Sequence, residues 1–113
     1  MWILVHPRFD QATEYSNAWA EQVKEWLGDE CIDLATDDAV RDKVEEALAL
    51  HPGADMAFYD HGNEVSLIGQ DHLPIISLPN AHLLANRETY TLACLSAKDL
   101  GVEIWRNGGK FWG

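Results

Sequence analysis

Positive charge is what this chain has least of: eight lysines and arginines stand against nineteen aspartates and glutamates, a formal charge of −11. That balance excludes sequence-independent nucleic-acid binding, which needs clustered Lys and Arg to displace counterions. It leaves room for a basic substrate or partner, although a high negative charge also simply keeps a protein soluble. Sulfur is scarce too. Cys31 and Cys94 are too few for a disulfide framework, and neither belongs to a CxxC pair. No apolar run approaches the roughly 18 residues of a membrane span. The N-terminal Met1-Trp2-Ile3-Leu4-Val5-His6-Pro7 lacks the basic n-region of a secretory signal. A cytoplasmic protein that contacts no membrane is expected. The loop His6-Pro7-Arg8-Phe9-Asp10 lacks the glycines that let a phosphate approach a helix N-terminus. No HxxxH or CxxC spacing joins His61, His72, His82, Asp60 and Cys94 into a metal site. Neither a metal nor another cofactor is expected.

What is present is an alternation of short apolar runs with helical periodicity. At 113 residues, without repeat, linker or low-complexity segment, the chain reads as one domain over residues 1–113. Residues 2–6 form a first strand. Asp10 can cap a helix in which Ala12, Tyr15, Trp19, Val23, Trp26 and Leu27 recur at helical spacing, with Gly28 just past its end. Residues 31–34 form a second strand, in which Cys31 packs as a small hydrophobe. Thr36 or Asp37 caps a second helix carrying Val40, Val44, Ala47 and Leu48, stopped by Pro52-Gly53. Residues 56–59 are strand three. A small hairpin over 65–68 and 73–76 and a helical turn over 80–84 follow. Residues 90–93 are strand four, and Ser96-Ala97-Lys98-Asp99 has the spacing of a capping box for a helix with Leu100 and Ile104 inward. Gly108-Gly109 ends that helix, and Lys110-Phe111-Trp112 starts another strand. The predicted fold class is α/β, a three-layer sandwich around a mainly parallel sheet of about four strands.

Two strings close apolar strands: Tyr59-Asp60-His61-Gly62 and Leu92-Ala93-Cys94-Leu95-Ser96. In a parallel sheet, ligands bind outside the carboxyl ends of the strands, and His61 and Cys94 both fall there. A thiol with an imidazole in reach is the minimum equipment for covalent acyl transfer. His61 can take the thiol proton and return it to a leaving amine. The N–H groups of Gly62 and Cys94 can hold a tetrahedral oxyanion. A helix opening after Cys94 would favour its thiolate, with Ser96 as the cap. Taken singly, each string has an ordinary explanation: a packed small cysteine, or a glycine marking a strand exit. Their joint occurrence on one edge carries the argument.

These strings resemble the signature of the caspase-like (clan CD) cysteine peptidases, among them caspases, legumain, gingipains, separase and the CHAT domains. In that family an apolar strand ends in His-Gly and a later one in Ala-Cys; here they are Met56-Ala57-Phe58-Tyr59-Asp60-His61-Gly62 and Tyr90-Thr91-Leu92-Ala93-Cys94. Asp60 before His61 is similar to the legumain version. Cys94-Leu95-Ser96, Leu100-Gly101 and Gly108-Gly109-Lys110 are similar to gingipain-related and CHAT-like sequences. The resemblance covers roughly residues 54–113. It implies a Cys–His dyad that hydrolyses peptide bonds, with His61 as general acid and base, Cys94 as nucleophile, and the Gly62 and Cys94 amides as oxyanion hole. Protein or peptide is the implied substrate, and the acidic charge favours a basic residue on its acyl side. Related folds carry about six strands, so the resemblance also implies a domain trimmed at its C-terminus, a fragment, or a half that needs a partner segment. The alternative function is a non-catalytic interaction module on the same fold.

Five tryptophans remain. Trp19 and Trp26, on the apolar stripe of the first helix, are expected in the core. Trp105 and Trp112 flank the point where the sheet would be cut short, and are expected to be exposed there as a contact for a second copy or a missing C-terminal segment.

Overall fold

The structure, a computed structural model, describes residues 1–92 and 98–112, with the backbone alone of Ala12 and His61. Strands β1 (Trp2–His6), β2 (Cys31–Ala35), β3 (Asp55–Tyr59), β7 (Glu88–Leu92) and β8 (Lys110–Trp112) form one sheet in the order β2-β1-β3-β7-β8. All four pairings are parallel. The expectation of about four strands is therefore corrected to five among the described residues, because Lys110–Trp112 pairs with β7 over Glu88↔Lys110 to Tyr90↔Trp112. Three further strands, β4 (His61–Gly62), β5 (Ser66–Ile68) and β6 (Pro74–Ser77), make a separate antiparallel sheet where a hairpin was expected. Among the described residues no helix is long and apolar enough to cross a membrane.

Local chemistry explains most boundaries. Helix α1 (Gln11–Leu27) begins at Asp10, whose Oδ1 accepts the Thr13 N–H at 2.8 Å while Thr13 Oγ1 accepts the Asp10 N–H at 3.0 Å. It ends at Gly28, whose φ of 56° suits glycine. Helix α2 (Arg41–Leu50) starts later than the sequence predicts. Thr36–Asp38 winds into a 3-10 turn closed by Ala39 N–H on Thr36 O at 2.8 Å, so neither Thr36 nor Asp37 caps the helix, and Val40 stands at its N-cap. Helix α3 (Leu100–Arg106) likewise opens on Asp99, without a side-chain cap. Its Asp99 and Leu100 N–H groups donate to Glu64 O at 3.2 and 2.9 Å. Ser96, the expected cap, lies outside the described residues.

The two faces of the sheet are covered unequally. On one, Ile3, Val5, Met56 and Phe58 pack with Val44 and Leu48 of α2, Leu100 and Ile104 of α3, and Phe111. On the other, α1 is the one helix among the described residues, and its cluster is small: Leu4, Ala57 and Tyr59 against Ala20. Helix α1 meets the sheet through Thr13, Ser16 and Ala20, which are buried, whereas Trp19 is 66% and Trp26 75% exposed. The core assignment of these two tryptophans is overturned. The stripe is real, but it lies on a flank of the helix, which small residues seat on the sheet. Trp105 and Trp112 are exposed, as expected.

Gly109 joins α3 to β8 at close quarters. A Cβ there would collide with the carbonyl oxygen of Leu84 and lie 2.9 Å from Ile104 Cγ2, whereas one at Gly53 would meet nothing within 4 Å. Gly109→Ala is expected to lower stability by about 1–3 kcal/mol through overpacking, and Gly53→Ala to change it by under about 0.5 kcal/mol. Urea unfolding midpoints of the two variants check this.

Candidate active site

The site is built where β3 and β7 end side by side. Their register pairs Tyr59 with Leu92, so the last described residues of both strands stand at the same level, on strands about 4.8 Å apart. Pairing continues one residue further, since Asp60 N–H donates to Leu92 O at 3.2 Å. His61 follows Tyr59 by two positions, and Cys94 follows Leu92 by two. Cys94 itself, as nucleophile and as oxyanion donor, lies outside the described residues, as do Ala93 and Ser96. For His61 the structure places the backbone alone.

That backbone turns from β3 directly into β4, where His61 pairs with Ile68 and Gly62 with Leu67. Antiparallel ladders alternate hydrogen-bonded and non-hydrogen-bonded pairs. Asn63 N–H donates to Ser66 O at 3.0 Å, which makes Gly62–Leu67 the non-hydrogen-bonded pair. The Gly62 N–H therefore points away from β5, free of that ladder. The hairpin is closed by the Asn63 side chain, whose Oδ1 accepts the Val65 N–H at 2.9 Å and the Ser66 hydroxyl at 3.0 Å.

Three contacts anchor this hairpin sheet at the carboxyl edge. Its first turn accepts the α3 amides through Glu64 O, as above. At its second turn, Gln70 N–H donates to Ala39 O at 2.9 Å. The Gln70 side chain then grips the Arg8 backbone reciprocally, accepting from N–H at 2.6 Å and donating to O at 3.0 Å. Segments from the ends of β1, β2 and β3 thus meet around one edge. At Asp99 and Leu100, the first described amides of the helix expected to open after Cys94, the N–H groups are engaged by Glu64 O.

A buried polar cluster that the sequence reading missed sits at the end of β1. His6 is fully buried; its Nε2 lies 2.5 Å from Asp33 Oδ1 and its Nδ1 2.7 Å from Asn17 Oδ1. Lys24 Nζ completes it at 3.0 Å from Asp33 Oδ2. The cluster fixes α1 to the β2 side of the sheet. Burial pushes the Asp33 carboxyl up, but hydrogen bonds from His6 and Lys24, and their charges, hold it below its ordinary value. A carboxyl depressed in the folded state contributes stability that is present above the unfolded value, about 3.9, and is lost as pH falls through the lower folded value. Acid unfolding followed by circular dichroism should therefore show a steeper loss below about pH 4 for the parent than for Asp33→Asn.

Cys31 is half-buried beside the Leu4 cluster, the packing role expected of it. Burial, and then the Asp33 carboxylate, push its thiol pKa up. No protein-family model matches the chain, and a search of curated proteins finds no match.

Proposed function

We propose that this protein is a caspase-like cysteine endopeptidase. Cys94 gives its thiol proton to His61, and the sulfur attacks the scissile carbonyl carbon. The N–H groups of Gly62 and Cys94 hold the resulting oxyanion. As the tetrahedral centre collapses, the C–N bond breaks and the His61 imidazolium returns its proton to the leaving amine. Water, deprotonated by the same imidazole, then hydrolyses the thioester and restores the thiol. Supporting this reading above all is the Tyr59↔Leu92 register, which sets residues two positions before His61 and Cys94 side by side on adjacent strands. The outward Gly62 N–H supports it further.

The test is cleavage of a diverse peptide library, with products read by mass spectrometry. A discrete set of cut peptides, sharing one residue class on the acyl side and vanishing in Cys94→Ala, is expected. A library left intact, or cut equally by Cys94→Ala, would overturn the reading in favour of a non-catalytic module.

A further inference from the structure

Among the described residues, the face of the sheet that carries α1 is only half covered. Along it, Ala57 pairs with Tyr90, Tyr59 with Leu92, and Tyr90 with Trp112. Tyr90, Leu92 and Trp112 point out of the sheet at 43, 46 and 54% exposure. Helix α1 does not shield them, because it leans the other way: Lys24 pairs with Asp33 on β2, and Ser16 reaches no further than Tyr59 O on β3, at 3.3 Å. At about 100° per residue, Tyr15 and Trp26 fall opposite Lys24 around the helix, and Trp19 lies within about 40° of both on the same side. The aromatic flank of α1 therefore faces the strip over β7 and β8.

Floor and wall together form one groove. At those exposures, and with roughly 150–250 Å² per aromatic side chain, Tyr15, Trp19, Trp26, Tyr90, Leu92 and Trp112 leave on the order of 700 Å² open. That exceeds the few hundred Å² of an ordinary monomer patch and approaches the ~800 Å² one partner gives a standard interface. Two strands span roughly 10 Å, the diameter of one helix. The amino-end rim is acidic. Glu25 and Asp29 flank the end of α1, and Asp55 and Glu88 open β3 and β7, with two cations near them: Lys110, 4.0 Å from Glu88, and the largely buried Arg87 beside Asp55.

We propose that this groove docks an amphipathic helix of a partner protein, one that carries basic residues beside its apolar stripe. A second copy of the chain fits less well, because it would bring a like acidic rim and a further −11 charge to the contact. The probe is a fluorescein-labelled peptide of about 18 residues, five turns, with leucines at i, i+3, i+4 and i+7 and lysine and arginine on the flanks. Fluorescence anisotropy should show saturable binding at micromolar concentration. Trp19→Glu and Trp112→Glu should each weaken it by about tenfold or more, as should glutamate in place of the peptide's basic residues. Trp105→Glu, on α3 in the opposite layer, should leave it unchanged. Both tested tryptophans are exposed, and circular dichroism should find the variants folded. Absence of saturation, equal weakening by Trp105→Glu, or a dimer in sedimentation that Trp112→Glu dissolves would each overturn the proposal, the last by giving the groove to a second copy.

Discussion

Replacing Cys94 or His61 by alanine is expected to lower kcat for a cleaved peptide by on the order of 10³-fold or more, and the double replacement to cost little beyond either single one. The non-additivity is the informative part. In the proposed mechanism the imidazole acts only through the thiol: it takes the sulfur's proton, donates to the amine, and later activates water against the thioester. Without the sulfur, no thioester forms for His61 to resolve. Without the imidazole, the thiol is mostly protonated at neutral pH and attacks slowly. Measured kcat values for the four proteins on one library-derived peptide settle the matter. Losses that multiply would mean the two residues act in separate steps or separate places.

Arg87→Met is expected to destabilise the fold by about 2–4 kcal/mol, the largest effect anticipated for a residue remote from the site. Arg87 ends the turn into β7 and is 8% exposed. Its guanidinium donates to three carbonyl oxygens of the α2–β3 connection: Ala54 at 2.9 Å, and His51 and Pro52 at 3.3 Å. Methionine fills similar volume but leaves those carbonyls without their charged donor. Arg87→Lys keeps the charge and loses the fork, so it should fall between. In urea the expected signature is a lower midpoint at constant slope. Equal midpoints for all three proteins would show that the connection is held by its backbone alone. Because Arg87 ties the start of β7 to the segment entering β3, it also supports the register that pairs Tyr59 with Leu92.

The elements were legible in the sequence because each rests on local chemistry: the Asp10–Thr13 box, Gly28 past the last apolar residue, the Pro52-Gly53 stop. Departures arose wherever a distant partner decided the outcome. The start of α3 reads as a Ser96 cap, yet the described amides at Asp99 and Leu100 are taken by Glu64, more than thirty positions away. The stripe of Tyr15, Trp19 and Trp26 is a correct period attached to the wrong neighbour, since periodicity reports that a helix has an apolar side but not which surface receives it. His6 looks like an ordinary strand end until Asn17 and Asp33 close around it. Lys110–Trp112, read as the start of a strand, is one, and its pairing with β7 changes only the strand count. For the site, the position of the His61 string at the end of β3 was readable, whereas the Cys94 string lies outside the described residues. That β3 and β7 are neighbours in matched register was not readable, because parallel pairing is set by the whole sheet.

The most direct test of the central claim is the rate at which each thiol is alkylated by iodoacetamide, followed by mass spectrometry across pH. Cys31 serves as an internal reference, its thiol held protonated by burial and by Asp33. Near pH 7, Cys94 should react faster than an ordinary cysteine and far faster than Cys31, and His61→Ala should slow Cys94 while leaving Cys31 unchanged. A Cys94 that reacts at the same rate with and without the imidazole would contradict the account.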